Sequence, residues 1–162
     1  MSLNRYKPHV FVLPEDDADR QIANGFVLHP NLQERNIQIL KPAGGWEKVL
    51  STFVKAYVSE MRQYPEERIV LLLDFDRDEN RLSAVNQQIP LDLKKRVFVL
   101  GVLSEPEDLK KDLNKSFEEI GETLAKDCSD NTNDLWGHKL LEHNNDELVR
   151  MISSVKPFLF KT

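Results

Sequence analysis

Arg68-Ile69-Val70-Leu71-Leu72-Leu73-Asp74-Phe75-Asp76-Arg77-Asp78-Glu79 runs from an unbroken apolar stretch straight into four acids. A continuous β-branched and leucine-rich run of this length predicts a central strand covered on both faces. Its carboxyl end then carries an Asp-x-Asp pair. Upstream, the apolar residues Val49, Leu50, Phe53, Val54, Tyr57 and Met61 follow Trp46 at helical spacing, which predicts one amphipathic helix ended by Pro65. Before it lies a second strand, Asn36-Ile37-Gln38-Ile39-Leu40, stopped by Lys41-Pro42-Ala43-Gly44-Gly45. His9-Val10-Phe11-Val12-Leu13, closed by Pro14, reads as the first strand. Glu15-Asp16-Asp17-Ala18-Asp19 then opens a helix through Ile22, Phe26 and Val27, with acids suited to the positive end of its dipole.

Downstream, a polar connection through Gln88-Ile89-Pro90 leads to a fourth strand, Val97-Phe98-Val99-Leu100-Gly101-Val102-Leu103. Ser104 then reads as a helix cap ahead of Pro106, and Leu109, Leu113, Phe117, Ile120 and Leu124 as the buried face of a single helix. The stretch from Asp127 to Asp134 reads as a polar break. Leu148, Met151, Ile152 and Val155 predict a last helix, with Pro157-Phe158-Leu159-Phe160 docking on the core. Strands alternating with helices predict an α/β, Rossmann-like three-layer domain with a mainly parallel four-stranded sheet and C-terminal helices. In such sheets ligands gather beyond the carboxyl ends of the strands.

The chain has 162 residues and a formal charge of −5, from 22 Lys and Arg against 27 Asp and Glu. That length fits one domain, residues 1–162, and 40% hydrophobic content is enough for its core. A uniformly basic nucleic-acid coat is excluded, and the negative sign disfavours anionic membranes. The single cysteine, Cys128, excludes an internal disulfide and a cysteine-based zinc site. No apolar run approaches the roughly 18 residues of a membrane span, and the first residues lack a signal-peptide core, so a cytoplasmic protein with no membrane partner is expected.

Eight of the 27 acids lie in the two runs Glu15–Asp19 and Asp74–Glu79. They outnumber the net charge, so the rest of the chain is net basic. If the strands before them are neighbours, like charges face each other, an arrangement that is unfavourable unless a cation or a basic partner neutralises it. Oxygen donors without His or Cys favour magnesium or manganese. Asp74 and Asp76 are the leading metal candidates, with Glu15 and Asp78 as further ligands.

Glu15 at the end of the first strand, the Gly44-Gly45 pair after the second and Asp74-Phe75-Asp76 after the third together resemble the topoisomerase-primase (Toprim) domain. The resemblance is closest to its stand-alone and nuclease branch, related to the overcoming-lysogenisation-defect nucleases. It covers about residues 8–110, leaving about 111–162 as a helical extension. The resemblance implies that Glu15 serves as general acid or base, and that Asp74 and Asp76 coordinate magnesium. Some nuclease relatives add an acid after the fourth strand, where Glu105 and Glu107 stand. The family's glycine near the start of the first helix is replaced by Asp16-Asp17-Ala18-Asp19, which leaves Asp16 or Asp17 as alternative acids.

A response-regulator receiver domain would use overlapping residues: Asp16 and Asp17, a phosphoacceptor Asp74, and Ser104. It would also need a fifth strand ending in Lys-Pro, and Lys156-Pro157 lies too near the terminus. Dehalogenase-type phosphatases share the Asp-x-Asp pair but have Gly and then Thr or Val where Arg77 and Asp78 stand. His138 and His143 are five apart, so they do not share a helical face. Lys94-Lys95-Arg96 and Lys110-Lys111 read as solvated ends of elements, and Gly44-Gly45 as a tight turn. The expectation is magnesium- or manganese-dependent phosphodiester chemistry on nucleic acid, as a nuclease or nucleic-acid-processing component. The alternatives are a non-catalytic α/β module acting through a protein partner and the receiver-like phosphoacceptor.

Overall fold

A computed structural model describes residues 3–161. Four strands, β1 (His9–Pro14), β2 (Ile37–Ile39), β3 (Glu67–Asp74) and β4 (Val97–Val102), form one parallel sheet in the order β2-β1-β3-β4. Register aligns Pro14 with Leu72 and Asp74 with Val102, so the acid-bearing ends of β1 and β3 emerge side by side. The α/β, three-layer class expected from the alternating pattern is the one found.

Strand side chains alternate between two cores. Val10, Val12, Val70, Phe98, Leu100 and Val102 pack against α1 (Asp17–Val27), α6 (Phe117–Asp130) and α7 (Asn145–Leu159). Phe11, Leu13, Ile69, Leu71, Leu73, Val97 and Val99 face Val49, Phe53, Met61 and Val85 on the other side. Burying both faces is why β1, β3 and β4 read as continuous apolar runs. The helix expected from Trp46 to Met61 is α2 (Trp46–Thr52) and α3 (Val58–Gln63) joined by a π-helical segment, Phe53–Tyr57.

Three local expectations need correction. Glu79–Gln88, expected as part of a polar connection, forms α4. It has few apolar residues, and only Val85 is buried, so hydrophobic periodicity gave no signal there. The single helix expected after Ser104 is two: α5 (Pro106–Leu113) stops at Asn114 in the left-handed conformation, and α6 restarts with a Ser116–Glu119 capping box. The polar stretch from Asp127 is not a solvated break. Asp127 is buried, and its carboxylate accepts hydrogen bonds from Thr132 Oγ1 and from the backbone of Asp134, Leu135 and Trp136. The neighbouring Cys128 lies in the core, where burial pushes its thiol up to about 12.

Two contacts place the site. Helices α1 and α6 touch backbone to backbone: a Cβ on Gly121 would lie 1.9 Å from the Ile22 carbonyl oxygen. The outer edge of β4 is held by side chains instead of a fifth strand. Asn144 accepts from the Gly101 N–H and donates to the Gly101 carbonyl, Glu147 accepts from Val99, and Arg150 donates to the Val97 carbonyl. Covering an edge in this way blocks strand-to-strand association.

Candidate metal centre

From β1 the chain passes to β2 on one side, while β3 lies on the other. The crevice between β1 and β3 is therefore the topological switch point, where open α/β sheets bind ligands. Glu15 stands at its mouth. Its N–H donates to the Leu72 carbonyl at 2.9 Å, and its own carbonyl accepts from Gly44 at 2.9 Å and Gly45 at 3.3 Å. These two glycines have φ of 94° and 141°, values that side-chain-bearing residues rarely adopt. The tight turn expected at the pair thus holds Glu15 in place. Its Oε1 accepts the Asp74 N–H at 3.0 Å, while burial raises its carboxyl above the ordinary range.

Asp16 caps α1, its Oδ1 accepting the Asp19 N–H at 3.1 Å. Ligand oxygens of Glu15, Asp16 and Asp74 come within 4.8 Å of one another. Asp19 completes the arrangement: it is 0% exposed, no N–H or hydroxyl donor reaches its carboxylate oxygens, and its carboxyl lies in hydrogen-bonding contact with those of Asp74 and Asp16. Asp74 Oδ1 is likewise buried without a donor. Burial, followed by the neighbouring carboxylates, raises Asp19 far above its ordinary range, and burial raises Asp74 in the same direction. Buried carboxylate oxygens without donors are costly unless protonated or bound to a cation. Hard oxygen donors alone fit magnesium or manganese, so the residues present suit the ion the resemblance implies.

The other candidates are placed differently. Asp76 and Arg77 have φ of 49° and 53° and form a tight turn closed by the Asp78 N–H on the Phe75 carbonyl at 2.8 Å. The Asp76 side chain is exposed and reaches Arg81 Nη2 at 3.5 Å. Asp78 caps α4 through the Asn80 N–H. Asp17 points to solvent, bound by Arg20 Nε and Gln21, whose hydrogen bonds hold its carboxyl low. Glu105 is exposed, its carboxyl raised chiefly by Glu107. Ser104 is buried with no partner for its hydroxyl. His138 pairs with Asp112 at 2.7 Å, and His143 packs edge-on against Phe75. Arg96 donates to the carbonyls of Met61, Tyr64 and Glu67, which makes it a structural tie.

Two residues of the site were missed from the sequence. Asp19 follows Asp16 by three, the spacing of a cap and the turn it caps, and that was its available signal. Arg81 lies on the helix that periodicity did not reveal; its Nη1 donates to the Asp74 carbonyl at 2.8 Å, and its guanidinium lies over Trp46. No protein-family model, curated protein or solved structure matches the chain. No helix among the described residues is long and apolar enough to cross a membrane.

Proposed function

We propose that the protein performs magnesium- or manganese-dependent phosphodiester chemistry on nucleic acid, as a Toprim-like nuclease or nucleic-acid-processing component. The observation that carries this reading is the convergence of Glu15, Asp16 and Asp74 carboxylate oxygens within 4.8 Å at the switch point, with the buried Asp19 carboxyl against Asp74. Glu15, Asp16 and Asp74 would hold the ion, with Asp19 behind them. A bound divalent ion supplies charge stabilisation for a phosphoryl group and an activated water.

Glu15 has the position for proton transfer. Its carboxyl is only partly buried, its pKa is raised, and the Asp74 N–H fixes one oxygen while the other remains for a substrate or water proton. Arg81 supplies a fixed positive charge beside the carboxylates. Among the described residues the sheet ends at β4, whose edge Asn144 and α7 occupy, and this weighs against the receiver alternative, which needs a fifth strand there.

A magnesium titration followed by backbone NMR tests the site, with saturable shifts expected at Glu15, Asp16, Asp19 and Asp74. Absence of saturable shifts at millimolar metal would sink the proposal. Metal-dependent cleavage of single- and double-stranded DNA and RNA, with Asp74→Asn as control, tests the chemistry. Cleavage that survives that substitution would come from another source.

A further inference from the structure

A second group of buried titratable side chains lies at the opposite end of the sheet from the metal centre, where β1 and β3 begin. His9 and Glu67 are register partners, both are buried, and His9 Nε2 lies 3.0 Å from Glu67 Oε1. His9 Nδ1 lies 2.7 Å from the Lys7 carbonyl, which can only accept, so Nδ1 carries a proton. The Glu67 carboxyl is also in hydrogen-bonding contact with that of Glu60 on α3. Among the described residues, no N–H or hydroxyl donor reaches Glu67 Oε2 or Glu60 Oε2. Two facing carboxyls without other donors hold together by sharing a proton, and the imidazole–carboxyl contact likewise needs one. With both protons in place, His9, Glu67 and Glu60 together are neutral.

Glu60 connects this group to the surface. Its Oε1 accepts from Arg5 Nη1, and its side chain is 18% exposed against 0% for Glu67. Burial and then the Glu67 carboxyl push Glu60 up to about 7, while Arg5 pulls it down. Arg5 belongs to a turn ahead of β1 that Asn4 closes, its side chain accepting from the Tyr6 N–H at 3.1 Å and its carbonyl from the Lys7 N–H at 3.2 Å. Side chains join that turn to the fold. The Arg5 guanidinium lies 5.7 Å from the Phe11 ring centroid and 5.8 Å from that of Tyr64, and Tyr6 packs edge-on against Tyr64. Tyr57, the last residue of the π-helical segment, faces Glu60 and Glu67, and its phenol is raised by burial and then by these acids. The other arginines nearby are engaged elsewhere: Arg96 with the carbonyls of Met61, Tyr64 and Glu67, Arg62 with Asp92, and Arg68 with Ser154 and the Glu66 carbonyl.

A proton and Arg5 are therefore alternative neutralisers of one carboxyl. With the proton in place, Glu60 donates to Glu67, and Arg5 bonds a neutral acid. Without it, Glu60 and Glu67 repel, and the bond from Arg5 becomes fully charge-assisted, roughly twice as strong. We propose that Glu60 is a proton-operated clasp: protonated, it is tied to Glu67 and leaves residues 4–7 loosely attached; ionised, it is held by Arg5 and straps that turn across the amino ends of β1 and β3. The clasp is independent of the metal-dependent reading above, because its residues lie at the other end of the strands.

NMR order parameters of the backbone amides of residues 4–7, followed through neutral pH together with the carboxyl carbon of Glu60, test the clasp in the wild type, Glu60→Gln and Arg5→Gln. In the wild type, order in the turn is expected to rise with pH and to share the Glu60 midpoint, near 7. Glu60→Gln keeps a donor for Glu67 and an acceptor for Arg5 but carries no charge, so the rise should be lost. Arg5→Gln should also lose the rise and should shift the Glu60 midpoint upward, because the proton and Arg5 are linked reciprocally through one carboxyl. Order that stays constant across the Glu60 titration overturns the clasp, as does a rise that persists in Glu60→Gln. A Glu60 midpoint unmoved by Arg5→Gln, or one at the ordinary 4.5 in the wild type, overturns it too. The Arg5 side chain is 45% exposed, so the Arg5→Gln comparison holds even if Glu60→Gln fails to fold.

Discussion

The N–H of Asp74 donates to Glu15 Oε1 at 3.0 Å, tying the residue that ends β3 to the side chain that follows β1. This bond crosses the switch point and sets the spacing between the two acidic runs. Glu15→Ala should therefore loosen the site as well as remove a carboxylate. Glu15→Gln keeps an acceptor for the Asp74 N–H, so it should weaken magnesium binding less than Glu15→Ala does while losing cleavage at least about 100-fold, the usual scale of a general acid or base. Calorimetry and a cleavage assay on both variants would show the difference.

Asp19→Asn should stabilise the metal-free protein, because it removes an acid whose ionised form burial and the facing carboxylates penalise. A gain of about 1 kcal/mol corresponds to a rise in Tm of about 2–4 °C for a domain of this size. The same variant should lose most of the Tm increase that magnesium gives the wild type. Thermal melts with and without metal measure both.

Metal-free stability should fall as pH rises from about 4 upward. Asp19 and Asp74 have folded pKa values above their unfolded ones, so the folded state binds more protons through that window. Glu60 adds the same sign up to about 7, through its own burial and the adjacent Glu67. His143, whose imidazole burial holds below its ordinary 6.5, works the other way below that value, so urea midpoints should be lower at pH 8 than at pH 6.5, and millimolar magnesium should reduce the difference, because the metal binds the deprotonated acids. A midpoint that rises across this window would contradict the assignment.

Gly121→Ala should destabilise the fold by about 1–3 kcal/mol, the usual cost of overpacking, since the new methyl meets the Ile22 carbonyl. Helix α1 carries Asp19 and is capped by Asp16, so its displacement should also weaken magnesium binding. Denaturant unfolding and metal titration of one sample would test the linkage. A stable variant with unchanged affinity would show that α1 is not held by this contact.

Asn144→Ala leaves the Gly101 N–H and carbonyl on the β4 edge without their side-chain partner. A loss of about 1–3 kcal/mol is expected, the cost of unsatisfied buried groups. The opened edge should also promote self-association, visible in concentration-dependent sedimentation.

Local patterns in the chain were enough to define the strands, their burial on both faces and the two acidic runs at strand ends. Those features depend on residues adjacent in sequence: Ile69 to Leu73 need no distant partner to read as a central strand, and Asp74 follows them by covalent connection. Where the pattern was polar, as in α4 and around Asp127, the element was illegible, because its stability comes from caps and contacts supplied elsewhere. Only the tertiary structure separated acids that look alike in sequence. Strand order and register bring Glu15, Asp16 and Asp74 together and bury Asp19, while a left-handed turn and a helix cap carry Asp76 and Asp78 aside. The physical reason is that a carboxylate's role depends on its solvent, its partners and the charges facing it, and these are set by packing between segments far apart in the chain.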